Sequence, residues 1–192
     1  MRRPIILDLE TQYTFRDFAD PKKLRISVVG IYDYKDCQLK AFFDHELNKL
    51  YPLLENASLI IGFNIDSFDL PVLQGYYPGE ISQFKTFDLL ADIKNILKRR
   101  VALNDLAKAT LNKQKSGHGL EAVNYFKEGK LEKLKKYCLD DVSLTKEIFE
   151  YGIKHKEIFY PSLSGKSLIK INWGIYLQNN QVKNDVSLTL PF

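Results

Sequence analysis

The sequence predicts an α/β domain on a mixed five-stranded sheet, three antiparallel strands followed by two parallel ones, flanked by helices. Three observations predict it. The chain opens with three strand-like segments in succession, and the second and third are joined by the polar turn Lys35-Asp36. A short apolar run from Ser58 to Phe63 lies between two helical patterns, as a buried parallel strand does. Beyond Thr86 to Leu89, patterns of helical period take over as far as Tyr151.

In order, Pro4 to Leu9, Ile26 to Tyr34 and Gln38 to Phe43 read as the antiparallel strands. A helix follows around Glu46 to Leu54, with a kink or interruption expected at Pro52 because proline removes a helix donor. Ser58 to Phe63 is the fourth strand. Asp69 to Tyr76 is helical, with Pro71 in the first turn where its missing N–H does no harm. Thr86 to Leu89 is the fifth strand, and Leu90 to Leu97, Asn104 to Leu111, Leu120 to Phe126 and Leu131 to Tyr151 are helices. The glycine- and lysine-bearing stretch Asn112 to Gly119 reads as a mobile loop. This order is that of the ribonuclease H-like fold. Past Gly152 the composition shifts toward Ser, Asn and β-formers, and Ser167 to Trp173 alternates like a strand paired with Glu157 to Tyr160. The expected organisation is therefore a main domain over residues 1–152 and a small β-rich extension over 153–192.

With 192 residues, 45% of them hydrophobic, the chain suits one well-buried domain and is short for two. Its two cysteines, Cys37 and Cys138, allow at most one bridge, and the helical core position of Cys138 speaks against a disulfide framework and for a reducing, cytoplasmic setting. No apolar stretch approaches the roughly 18 residues of a membrane span. A net charge of +4 permits a polyanionic partner without proving one. Clustering says more: Lys94, Lys98, Arg99 and Arg100, then Lys108, Lys113 and Lys115, then Lys127, Lys130, Lys133, Lys135 and Lys136. These are either solvated helix faces or a backbone-binding rim around an acidic centre.

Such a centre is implied by four carboxylates set in or against apolar segments, where an uncompensated charge costs several kcal/mol or forces the group to neutralise. In a strand, residues two apart share a face, so Asp8 and Glu10 point the same way beside Ile6, while Ile5, Leu7 and Leu9 fill the other face. They are a cation-bridged pair or merely wet acids at a strand end. Asp69 follows the fourth strand and either caps the next helix or points back across the strand ends; Asp66 and Ser67 are alternative caps. In the last helix, Leu131, Leu134, Cys138, Val142, Thr145 and Ile148 define a buried face with Asp141 at its edge and Asp140 turned outward. Tyr137, four residues earlier, projects over the same spot. With neither His nor Cys, this donor set suits two Mg²⁺ or Mn²⁺ ions and argues against zinc. Two such ions are a known solution to phosphodiester hydrolysis.

Asp-Leu-Glu-Thr ending the first strand, Gly-Phe-Asn-Ile-Asp-Ser-Phe-Asp-Leu-Pro in the middle and Tyr-Cys-Leu-Asp-Asp-Val near the end resemble the three exonuclease motifs of the DEDD superfamily. The middle motif is similar to that of the proofreading domains of family B DNA polymerases, and the tyrosine four residues before the last aspartate marks the DEDDy branch. The likeness runs from about Pro4 to Tyr151. It implies a 3′-to-5′ exonuclease in which Asp8, Glu10, Asp69 and Asp141 serve the metals, and in which Tyr137 orients the attacking water. A phenol with a pKa near 10 stays protonated at neutral pH, so Tyr137 is no strong base. Thr11, Asn64 and Phe68 are the family-matched candidates for holding the terminal nucleotide, against readings as a turn hydroxyl, a turn Asn and a core Phe. Phe15 is a candidate for base stacking or a loop anchor. His118 invites a general-base reading, but a phosphate contact or no role fits its lysine-rich loop better. The absence of a Walker-type loop speaks against ATP hydrolysis. The implied partner is nucleic acid, DNA or RNA, with a single-stranded or frayed 3′ end; a helicase or polymerase partner is compatible. Two other readings stand: a structure-selective endonuclease on the same fold, and a non-catalytic nucleic-acid-binding module.

Overall fold

The computed structural model describes residues 2–115, 117, 119–162 and 165–178. The expected antiparallel meander is present as β1 (Ile5–Thr11), β2 (Ile26–Asp33) and β3 (Gln38–Phe43). After α1 (Leu47–Glu55) come β4 (Ile60–Gly62), α2 (Asp69–Leu73) and β5 (Thr86–Asp88). Both later strands are parallel, and the five form one sheet in the order β3-β2-β1-β4-β5. This is the ribonuclease H-like arrangement, and it leaves β1, bearing the first two acids, at the centre. Helices α3 (Leu89–Leu97), α4 (Leu103–Leu111), α5 (Gly119–Lys127) and α6 (Leu131–His155) complete the main body.

Period-two alternation in β1 divides the core. Ile5, Leu7 and Leu9 join Leu47, Leu50 and Leu70 of α1 and α2 on one face. Ile6 turns to the other face, among Phe87, Leu106, Val142 and Ile148, where α3, α4 and α6 lie. Asp8 and Glu10 therefore face α6.

Local departures from expectation have physical causes. Helix α1 continues through Pro52, whose ring is on the exposed side, so the carbonyl that loses its partner faces solvent. Leu131 lies outside the buried face of α6, 40% exposed in the first turn, whereas Leu134, Cys138, Val142, Thr145 and Ile148 are buried as the periodicity requires. The expected hairpin forms as β6 (Glu157–Ser162) paired with β7 (Gly165–Lys170). Its strand pattern ends before Trp173, which precedes the unexpected short helix α7 (Gly174–Gln178). Trp173 stacks on Phe149 with ring centroids 6.1 Å apart and donates its indole N–H to Asp92 Oδ2 at 2.8 Å. Gly152 permits this approach, since a Cβ there would come within 2.5 Å of the indole. Helix α6 runs unbroken past residue 152 to His155, and Ile158, Ile169 and Trp173 share the core of the main body.

Candidate active site

Strand β1 outruns β4, which pairs with it only at Ile5 and Ile6. Beyond that point the strand must find other partners for its backbone. The Leu9 N–H donates to Asp69 Oδ1 at 2.9 Å, so Asp69, the first residue of α2, points back across the strand ends. Neither Asp66 nor Ser67 caps α2; the N-cap is Phe68, without a side-chain bond.

Asp141 reaches the same place from α6. Gly30 stands opposite Asp8 in the β1–β2 register. A Cβ at Gly30 would lie 2.9 Å from Cys138 Sγ and 3.0 Å from Val142 Cγ2, so the missing side chain lets the helix lie close against the sheet. Carboxylate oxygens of Asp8, Glu10 and Asp141 consequently fall within 4.8 Å of one another. Asp140 turns outward to Lys136 at 2.6 Å, as the helical period predicts.

The electrostatics follow from this crowding. Removal from water, then repulsion from Asp141, Asp69 and Glu10, pushes the Asp8 carboxyl well above its ordinary range. Burial, then Asp141, does the same to Glu10. Burial raises Asp69 to about 7, against the hydrogen bond from Leu9 that favours its charged form. Asp141 is also raised by burial, with Lys115 opposing. Burial pushes the Tyr137 phenol up, Lys115 opposes, and Asp141 and Glu10 add to the rise, so the hydroxyl keeps its proton. That hydroxyl is buried and, among the described residues, has no hydrogen-bond partner of ordinary geometry.

Lys115 is the residue sequence reasoning placed wrongly. Instead of lining an outer rim it enters the cluster, its Nζ 2.5 Å from Asp141 Oδ2 and 5.3 Å from the centroid of the Tyr137 ring. Burial works against its charge, but Asp141 and then Asp8 outweigh it and hold the ammonium protonated. An ammonium on Asp141 shows that this position accepts a cation, and an all-carboxylate oxygen set fits hard divalent ions such as Mg²⁺ or Mn²⁺. Asp69 stands outside the group of three whose oxygens converge.

A groove of about 290 Å³ opens over the acids and is lined also by Thr11, Phe15, Phe63, Asn64 and Phe68. Phe15 is 53% exposed and meets the Phe68 ring edge-on at 5.7 Å. The Thr11 hydroxyl donates to the Tyr13 carbonyl at 2.7 Å, a turn contact. Asn64 adopts φ +71° and accepts at Oδ1 from Arg100 Nη2 at 2.8 Å. His118 lies outside the described residues. Asp88 was also missed, although its position just before a helical pattern is a cap signal. Its Oδ1 accepts from the N–H groups of Asn64, Leu90 and Ala91, and its Oδ2 from that of Asp66, which fixes the middle motif to the start of α3.

A mixed sheet with acids converging at the exposed end of its central strand defines the class as ribonuclease H-like. A family model described as the RNase_H superfamily matches residues 5–152, and the chain belongs to that family. No curated protein matches significantly. Among solved structures, the family B DNA polymerase of the hyperthermophilic archaeon Pyrobaculum calidifontis is similar at TM-score 0.61 and 18% identity, over 80% of this chain and 25% of that one. Trypanosoma brucei RNase D is similar at TM-score 0.58 and 18% identity, over 78% and 57% of the respective chains. Its complex with RNA U12 matches at TM-score 0.58 and 17% identity, over 78% and 55%. This chain thus spans about a quarter to just over half of those proteins, and the likeness is one of fold.

Proposed function

We propose that the protein is a metal-dependent 3′-to-5′ exonuclease that hydrolyses nucleic-acid ends to nucleoside monophosphates. The observation carrying this reading is the convergence of Asp8, Glu10 and Asp141 within 4.8 Å, in a groove of about 290 Å³. Asp8, Glu10 and Asp141 would hold one divalent cation, with Asp8 shared and Asp69 assisting a second. Bound there, two Mg²⁺ or Mn²⁺ ions supply the charge that activates water and stabilises the leaving oxygen.

The chain's own residues do the rest. Tyr137, protonated and with no hydrogen bond of ordinary geometry at its hydroxyl among the described residues, offers its O–H to position the attacking water. The Phe15–Phe68 pair offers an aromatic edge on which a terminal base can lodge, and Thr11 lines the wall beside it. Asn64 also lines the groove, with its side-chain oxygen held by Arg100. Nucleic acids that neighbours of this fold act on, RNA for RNase D and DNA for the polymerase, support a polynucleotide substrate here. A cytoplasmic setting belongs to the same proposal; no helix among the described residues is long and apolar enough to cross a membrane.

The test is a 5′-labelled single strand, as DNA and as RNA, incubated with Mg²⁺ or Mn²⁺. Stepwise shortening from the 3′ end with monophosphate products is expected, and a 3′-blocked strand is expected to resist. Cleavage of a closed circular strand would establish the endonuclease instead, and binding without turnover under every metal would establish the non-catalytic module.

A further inference from the structure

Helix α3 ends at Lys98, whose left-handed conformation (φ 58°) turns the chain sharply. The next two residues are both arginines, and the turn sends their side chains to different places. Arg99 is used internally: its Nη2 donates to the Pro161 carbonyl at 3.0 Å and its guanidinium lies 5.3 Å from the centroid of the Tyr160 ring, clasping the β6–β7 hairpin. Arg100 goes the other way, to Asn64 on the groove wall.

The partner of Arg100 matters. Lys113, Lys115, Lys130, Lys136 and Lys146 each pair with a carboxylate, so their charge is already met within the protein. Arg100 is held by a neutral amide, which orients a guanidinium without neutralising it. One of its five N–H groups is spent on Asn64 and, among the described residues, no other acceptor takes the rest. Asn64 is itself rigid, since its backbone N–H is fixed to Asp88 at 2.8 Å. An exposed, pre-oriented fork at the rim of a groove whose floor is acidic is suited to a planar two-point contact with a phosphate.

We infer that Arg100, positioned by Asn64, forms a binding site for a backbone phosphodiester of a single-stranded nucleic acid, upstream of the bond lying over the acids. This rests on the exonuclease reading for its substrate class. It changes the role expected for Asn64, from touching the nucleotide to aiming the arginine that does.

Binding measured apart from cleavage tests it. Fluorescence anisotropy in EDTA, with labelled oligothymidylate and oligouridylate of about twelve nucleotides, is compared for wild type, Arg100→Met, Arg100→Lys, Arg99→Met and Asn64→Ala over roughly 50 to 200 mM salt. Arg100→Met is expected to weaken binding about tenfold for both sugars, and to reduce the magnitude of the log–log salt slope by about 0.7, the value for one phosphate contact on a single strand. Arg100→Lys keeps the slope but recovers only part of the affinity. Asn64→Ala weakens binding less, and adds nothing to Arg100→Met in the double variant. Arg99→Met leaves binding unchanged. An unaltered affinity and slope in Arg100→Met, an equal loss in Arg99→Met, or no strand binding by wild type overturns the site. Wild type that binds with the predicted arginine dependence yet cleaves nothing in Mn²⁺ overturns the nuclease reading alone.

Discussion

Acids withdrawn from water stand at the ends of two strands of the sheet, β1 and β5, with β4 between them, and are satisfied in opposite ways. Asp88, at the end of β5, is saturated by four backbone N–H groups from the middle motif and α3. Asp8, Glu10 and Asp141 have few such donors; beyond each other they meet the Lys115 ammonium and, at 4.0 Å from Asp8, the Cys138 thiol. Backbone dipoles hold Asp88 in place as a structural joint. The triad instead meets a side-chain ammonium, which a cation of another kind could replace without breaking any backbone hydrogen bond. Withdrawal from water alone therefore does not separate the two sites; the kind of partner does.

The comparison is broken or sharpened by substitution, beginning with the largest effect. Asp8→Asn and Asp141→Asn are each expected to lower hydrolysis by about 10³-fold or more, because the developing charge loses its counter-ion. The melting temperature of Asp8→Asn should hold or rise, since repulsion among the acids is relieved, whereas that of Asp141→Asn should fall because Lys115 loses its ion-pair partner. Retained cleavage would remove the triad from the chemistry. Asp88→Ala should do the reverse, costing about 2 kcal/mol or more of stability in urea titration through a lost cap and unsatisfied N–H groups. A small effect on stability there would erase the distinction.

Tyr137→Phe is expected to reduce the cleavage rate about tenfold with little change in KM, less than the 10²–10⁴ of a full proton-transfer group. A smaller effect follows from pH. Asp69 holds its proton to about 7 in the folded protein and to the ordinary carboxylate range when unfolded, so between those limits the folded state binds more protons. Stability of the metal-free protein should be greatest at the acid end of that window and decline as pH rises toward about 7, as read by thermal unfolding in EDTA. Saturating Mn²⁺ should flatten the decline. The smallest effect is at Lys115: replacing it by Met frees Asp141, and Mn²⁺ is expected to bind roughly fivefold more tightly by calorimetry.

Much of this site is legible locally. Alternation in β1 puts Asp8 and Glu10 on one face, and the helical period of α6 puts Tyr137 and Asp141 together while excluding Asp140; both outcomes need only backbone geometry. The order of strands and helices likewise limits the sheet to very few arrangements. Lys115 and Arg100 are different. Each sits in a run of similar cations, and nothing within a few residues tells a lysine that enters an acid cluster from one that stays in water. Trp173 continues an alternating pattern, yet it leaves the strand because Gly152, twenty-one residues back, opens a slot for its ring.

The sequence by itself determined which faces carry acid, because period and polarity are properties of a short segment. Tertiary structure decided how those acids are compensated, because that depends on which distant groups the packed core brings within a few ångströms. Gly30 shows the point: one missing Cβ on β2 lets α6 approach the sheet, and the approach turns separate carboxylates into a cluster able to hold a cation.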